Sequence, residues 1–146
     1  MQIVVNVLPG AFVEYPGPFG QGKRSIFTED LELVSIDGNA QPAHTPGGMH
    51  SGIVTVVRDP TANDKYFPND DLLLHYEATY LFDTATDNLP AALQRGQLTA
   101  NGVFRIPKPA TITFAITGGA GHYALARGQV TESGPNGTVR TFDITL

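Results

Sequence analysis

The sequence predicts an all-β fold, an eight-stranded antiparallel β-barrel with a central hydrophobic cavity, and three observations carry that expectation. Sixteen glycines and eleven prolines punctuate the 146 residues at short intervals. The runs between them are rich in Val, Ile, Thr, Tyr and Phe, residues that fit a half-buried pleated surface. No long stretch repeats with the helical period. Short antiparallel strands with one polar face close readily into a barrel, because closure removes exposed edges. A two-sheet sandwich has the same period and remains the alternative.

The first strand is expected at about 2–8, QIVVNVL. The following PGAFVEYPGPFGQGK is too punctuated for a helix and reads as a loop. SIFTEDLELVSI, 25–36, is the second strand and ends at the turn Asp37-Gly38-Asn39. After the loop NAQPAHTPGG, the third strand spans 50–58, and an acidic loop leads to the fourth, LLLHYEATYLFD, at 72–83. TATDNLPAAL can form a helical turn, with Asp87 or Asn88 as cap and Pro90 near its first position. The fifth to eighth strands fall at 94–105, 110–117, 122–132 and 138–146, the last two joined by the turn Ser133-Gly134-Pro135-Asn136-Gly137. Without a linker, repeat or composition shift, residues 1–146 read as one domain.

Composition narrows the function classes. Hydrophobic residues at 41% against 16% charged describe a chain that folds. A net charge of −5 with scattered basic residues argues against a nucleic-acid partner. The absence of cysteine excludes disulfides, thiolate zinc sites and a cysteine nucleophile. No run approaches the ~20 apolar residues of a membrane helix. The N-terminal MQIVVNVLPGAF lacks the basic start of a signal peptide, so a cytoplasmic protein without a membrane partner is expected.

Strand alternation then sorts faces. In the fourth strand, Leu72, Leu74, Tyr76, Ala78, Tyr80 and Phe82 share one face and should point inward. The two tyrosines are either core residues with satisfied hydroxyls or pocket lining with a hydroxyl turned to a ligand. In the second strand, Phe27, Glu29, Leu31 and Leu33 share a face that is apolar apart from Glu29. An interior carboxylate is costly unless paired or protonated, and burial raises its pKa toward the range useful for proton transfer. The alternative places Glu29 at the barrel mouth, in water. Gly96, Leu98, Ala100 and Gly102 form a small-residue face that leaves room for packing or a ligand. Both faces of the third strand and much of the sixth, with Ile112, Phe114 and Ile116, are apolar, which points to a homo-oligomer, dimer or trimer.

Several tempting motifs carry little. His44, His50, His75 and His122 lack metal-ligand spacing and read as ordinary surface or loop histidines, so no metal is expected. The acidic cluster Asp64, Asn69, Asp70 and Asp71 lacks the EF-hand pattern. Gly118-Gly119-Ala120-Gly121 lacks the Gly-Lys-Ser/Thr ending of a phosphate loop and reads as a tight turn. Asn136-Gly137-Thr138 reads as turn chemistry rather than a glycosylation site. No serine sits in a nucleophile-elbow sequence.

The segment FAITGGAGHYALARGQV, 114–130, resembles the most distinctive stretch of the allene oxide cyclase and dirigent families: a glycine-rich turn, an aromatic, then Gly-Gln-Val or Ala-Arg-Gly. HYEATYLF, 75–82, and FTEDLELVSIDGN, 27–39, followed by GMHSGIVTVVR, 48–58, resemble cyclase strands in the same order. The blocks cover about two thirds of the chain. The resemblance implies an eight-stranded barrel around an apolar cavity, often in a trimer, without a metal or redox cofactor. It implies stereochemical guidance: ring closure of an unsaturated fatty-acid epoxide in plant cyclases, phenoxy-radical coupling in dirigent proteins, and ring closure of polyketides in related bacterial barrels.

Carried over residue by residue, the cyclases' FSN strand matches Phe27-Thr28-Glu29, so Glu29 stands where they hold a water with Asn. Their first-strand Glu is matched by a region offering Gln2 and Asn6, so their full catalytic set is not reproduced. Val54 matches a cysteine, Tyr76 an inward aromatic, and Thr113 falls near a pocket tyrosine. Arg127 matches the dirigent arginine that contacts substrate oxygen, or is a structural arginine paired with an acid. The resulting expectation is a cofactor-independent cyclase or isomerase acting on an apolar, unsaturated, oxygenated small molecule. Glu29, Tyr76 and Arg127 would be catalytic. Asn6, Phe27, Leu31, Val54, Tyr80, Phe82, Thr113 and Phe114 would line the cavity. A dirigent-like or carrier protein that orients its ligand without proton transfer is the alternative, and a purely structural barrel with a filled interior is the third.

Overall fold

A computed structural model describes residues 1–16, 20–58, 72–82, 96–106 and 108–146. Ten strands form one sheet: β1 (Gln2–Val7), β2 (Ala11–Glu14), β3 (Arg24–Ile36), β4 (Asn39–Ala40), β5 (Pro46–Arg58), β6 (Leu72–Leu81), β7 (Gly96–Ile106), β8 (Ile112–Gly121), β9 (Arg127–Ser133) and β10 (Val139–Thr145). The order β1-β10-β9-β8-β7-β6-β5-β3 is closed by β1 pairing with β3. That closure makes an eight-stranded antiparallel barrel and decides against the sandwich. A single 3₁₀ turn, Pro135–Gly137, is the one helical piece among the described residues. No helix among them is long and apolar enough to cross a membrane.

Period-two alternation sets the interior. Ile3, Val5 and Val7 of β1, Tyr76, Ala78 and Tyr80 of β6, Ile112, Phe114 and Ile116 of β8, and Phe142 and Ile144 of β10 are buried. The residues between them on β8 (Thr113, Ala115, Thr117) are exposed, so the sixth expected strand has one buried and one exposed face. One end of the barrel is solid. There Phe82 and Phe142 meet edge-on at 5.5 Å, and Tyr123 lies tilted against Phe82 at the same distance. The other end is open among the described residues.

Three local readings change. AFVE in the expected loop is strand β2, which continues along β3 beyond β1 and has no strand on its outer edge among the described residues. Its Phe12 and Val13 are exposed, so burial does not explain the strand; pairing with β3 does. The short β4 also pairs with β3. The glycine run at 118–121 is not the turn but the end of β8, and the turn falls at 122–126. The buried Tyr123 folds back beneath this strand, and a Cβ on Gly119 would stand 2.3 Å from the Tyr123 carbonyl oxygen. Only glycine admits that approach. The acidic loop with Asp64, Asn69, Asp70 and Asp71, the helical turn around Asp87, Asn88 and Pro90, and the outer ends of the fourth and fifth expected strands lie outside the described residues.

Candidate functional site

The open end holds a cavity of about 340 Å³. That is at the small end of ligand pockets, which run roughly 300–1,000 Å³. Its apolar wall comes from β3, β5, β6 and β7 through Phe27, Val54, Tyr76 and Phe104, with Leu8, Pro9 and Phe12 at the mouth. Its polar wall is Glu29, His50, Lys108, Glu132 and Arg140.

The aromatic wall is ordered by stacking. Tyr76 lies between Phe27, at 5.6 Å and 8° between planes, and Phe114, at 4.3 Å. His50 stacks on Tyr80 at 5.0 Å and 10°. The Tyr76 and Tyr80 hydroxyls share a hydrogen bond of 2.7 Å, which satisfies both in the interior. Burial pushes both phenols up, Tyr76 well above its usual value, so both carry their protons at neutral pH. Tyr76 reaches the cavity while Tyr80 supports it from below.

Glu29 and His50 face each other across the β3–β5 register. His50 Nε2 stands 3.3 Å from Glu29 Oε2. Neither ring nitrogen makes an aligned hydrogen bond among the described residues, so the contact is close without being a formed bond. His50 is fully buried, and burial with the nearby Arg140 charge pushes its pKa down to about 3. The ring is therefore a neutral imidazole with one donor and one acceptor nitrogen. Glu29 keeps 29% of its side chain exposed. Burial raises its pKa, and the Arg140 charge works against that rise. Glu29 is thus both an interior residue and a wet one, which joins the two alternatives read from the sequence.

The polar wall is completed by a cross-strand pair. Arg140 lies opposite Glu132 in the β9–β10 register, and Nη2 donates to Glu132 Oε2 at 2.9 Å. Arg140 Nη1 also donates to the Gly137 carbonyl oxygen. Lys108 donates to Glu132 Oε1 at 2.5 Å and sits 5.4 Å from the centre of the Phe104 ring. Burial opposes the Arg140 charge, but Tyr80, Glu132 and Tyr76 outweigh it and its pKa rises. A buried pair of this kind stands only because both members have partners.

The expected site residues divide. Glu29, Tyr76, Phe27 and Val54 meet at the cavity. Phe114 and Tyr80 back Tyr76, and Leu31 is core beneath. Phe82 belongs to the solid end. Alternation turns Asn6 away from the interior, since Val5 and Val7 take the inward positions, and it turns Thr113 outward, where its hydroxyl meets Thr131 at 3.4 Å. Arg127 is corrected as well. It opens β9 opposite Thr145, five residues from Glu132 and at the far end of the barrel, and its guanidinium donates to the Ala126 carbonyl. His50 is not a surface histidine but a fully buried one.

Lys108, Glu132 and Arg140 were not singled out by sequence, though a signal existed. Extending alternation from Val130 reaches Glu132, and extending it back from Phe142 reaches Arg140. The turn between them pairs the two charges.

No family model matches the sequence, and no curated protein matches it. Solved structures do. A pyocyanin demethylase aligns with 99% of this chain and 98% of its own, at TM-score 0.61 and 23% identity. Two pterocarpan synthase dirigent proteins align with 99% of this chain, covering 80% and 90% of theirs, at TM-score 0.60 and identities of 17% and 15%. The protein has the barrel fold of the allene oxide cyclase/dirigent type.

Proposed function

We propose that the barrel is a proton-transfer cyclase or isomerase for a compact, apolar, oxygenated small molecule, with Glu29 as the group that takes and returns the proton. One observation supports this above the others: a half-wet carboxylate faces a buried neutral imidazole in a cavity whose apolar wall is built of aromatic rings. The aromatic wall favours a flat or folded unsaturated ligand. Glu29 has the raised pKa that lets one residue serve as base and then as acid. Neutral His50 presents a nitrogen that can hold Glu29 or a ligand hydroxyl by hydrogen bond without adding charge. Holding the ligand in a reactive conformer supplies the rest, through entropy given up on binding.

The test begins with native mass spectrometry of freshly purified protein and identification of any small molecule extracted from it. The identified compound, or its precursor, is then assayed with the wild type and with Glu29→Gln. A fall in kcat of at least a hundredfold is expected. Full turnover by Glu29→Gln sinks the acid/base role.

The resemblance to dirigent proteins leaves a second reading, a protein that orients its ligand without proton transfer. Saturable binding with no acceleration of product formation by the wild type separates it from the first. A homo-oligomer, dimer or trimer, is proposed from the exposed Val13, Tyr15 and Val103, and sedimentation velocity checks it.

A further inference from the structure

The polar wall sets two cations, Lys108 and Arg140, against two carboxylates, Glu29 and Glu132. Glu132 is shared by two cations, Arg140 at 2.9 Å and Lys108 at 2.5 Å. Arg140 has five N–H donors, of which one goes to Glu132, one to the Gly137 carbonyl and one to the Tyr80 hydroxyl. Lys108 has three donors and uses one on Glu132. The remaining charge in the same cavity is Glu29, whose ionisation both cations favour. With Glu29 ionised, two cations face two carboxylates. Once Glu29 takes up a proton, one positive charge is left uncompensated beside the ligand.

We propose that Arg140 and Lys108 form an oxyanion-holding subsite, so that the substrate is an enolisable carbonyl compound or a phenol whose oxygen takes the negative charge when Glu29 takes its proton. This rests on the proposed proton-transfer role of Glu29. In the step, a C–H or O–H bond of the ligand breaks and its proton passes to a Glu29 carboxylate oxygen. The electron pair is delocalised onto the ligand oxygen beside the two cations. Protonation at a second carbon, or attack of that carbon on an electrophilic centre of the same molecule, completes an isomerisation or a ring closure and restores the carboxylate. The cavity stays electrically balanced throughout, because the ligand acquires the charge that Glu29 loses. Preorganised charge of this kind stabilises the transition state without reorganising. Glu132 is a positioning residue here, holding both cations by one carboxylate.

The geometry makes a counter-intuitive prediction, because Glu29→Gln reproduces the protonated state. The probes are 2-naphthol and its neutral analogue 2-methylnaphthalene, titrated into the full chain and followed by absorbance and fluorescence. Glu29→Gln should bind naphthol at least tenfold more tightly than the wild type does, with the spectrum of the naphtholate at a pH where the free probe is protonated. Methylnaphthalene affinity should change less than threefold. Adding Lys108→Met, at a side chain 42% exposed, should remove most of the gain. Arg140→Lys, which keeps the charge, should retain part of it, with near-UV circular dichroism checking the fold. Naphthol bound to Glu29→Gln with a neutral spectrum, or a gain that survives Lys108→Met, overturns the subsite. Binding of methylnaphthalene without naphthol overturns it too. Failure of both probes to bind instead counts against the small-molecule reading itself, and full turnover by Glu29→Gln counts against the acid/base role alone.

Discussion

His50 shows how a single side chain ties stability to pH. Its ring is fully buried, stacks on Tyr80, and lies beside Glu29 and within the field of Arg140. Its pKa is about 3 in the folded protein against 6.5 in the open chain. A depressed pKa contributes stability that is present above 6.5 and is lost as pH falls toward 3. Below 6.5 the unfolded chain takes up a proton that the folded chain refuses, at a limiting slope of about 1.4 kcal/mol per pH unit. The window just below 6.5 reads this best, before the ordinary carboxylates titrate. Glu29 acts in the opposite sense there. Its folded pKa is raised, so its contribution is present at low pH and lost as pH rises. Urea unfolding of the wild type and His50→Phe across this window should therefore show a gap that closes as pH falls. A pH-independent gap would mean that His50 ionises in the folded state as freely as in water.

At the scale of elements, the β9–β10 hairpin sets the polar wall. Its turn brings Glu132 opposite Arg140, and Gly137 within that turn has φ of +69°. A Cβ there would stand 2.1 Å from Glu132 Oε1. Gly137→Ala must both hold a left-handed backbone and displace the carboxylate that anchors two cations. A loss of about 1–2 kcal/mol is expected from the backbone alone. The same variant should lose the naphtholate preference introduced by Glu29→Gln, which separates it from a plain loss of stability. Calorimetry and probe titration on the one sample check both. The hairpin was legible in the sequence as Ser133-Gly134-Pro135-Asn136-Gly137, but what it juxtaposes was not, because the two charges are separated by the turn.

For the whole molecule, the two barrel ends divide stability from function. Phe142 is fully buried at the solid end, 4.8 Å from Tyr80 and 5.5 Å from Phe82. Phe142→Ala should cost about 3–5 kcal/mol, as a large cavity in a close-packed interior does. Phe12 lies at the cavity mouth and is 61% exposed. Phe12→Ala should leave stability within about 0.5 kcal/mol and shorten the residence of a bound naphthol by severalfold. Thermal unfolding and stopped-flow release of the probe separate the two, and equal destabilisation by both variants would contradict the division.

Local patterning alone determined the strand class, the eight barrel strands and the inward faces of β3 and β6, because period-two alternation is written residue by residue. It placed Phe27, Glu29 and Tyr76 correctly on inward faces. It could not say how deep along the barrel each inward residue sits, and that depth separates Tyr76 at the cavity from Phe82 in the solid end. Depth follows from strand stagger, a property of the closed sheet. Nor could it bring together residues 29, 50, 108, 132 and 140, which five segments contribute. Arg127 stood out within a local motif, yet the register carries it to the far end, while Arg140, in no motif, becomes the cation at the cavity. Only closure of β1 onto β3 fixes that ring of neighbours, since charge and burial act through space and not along the chain.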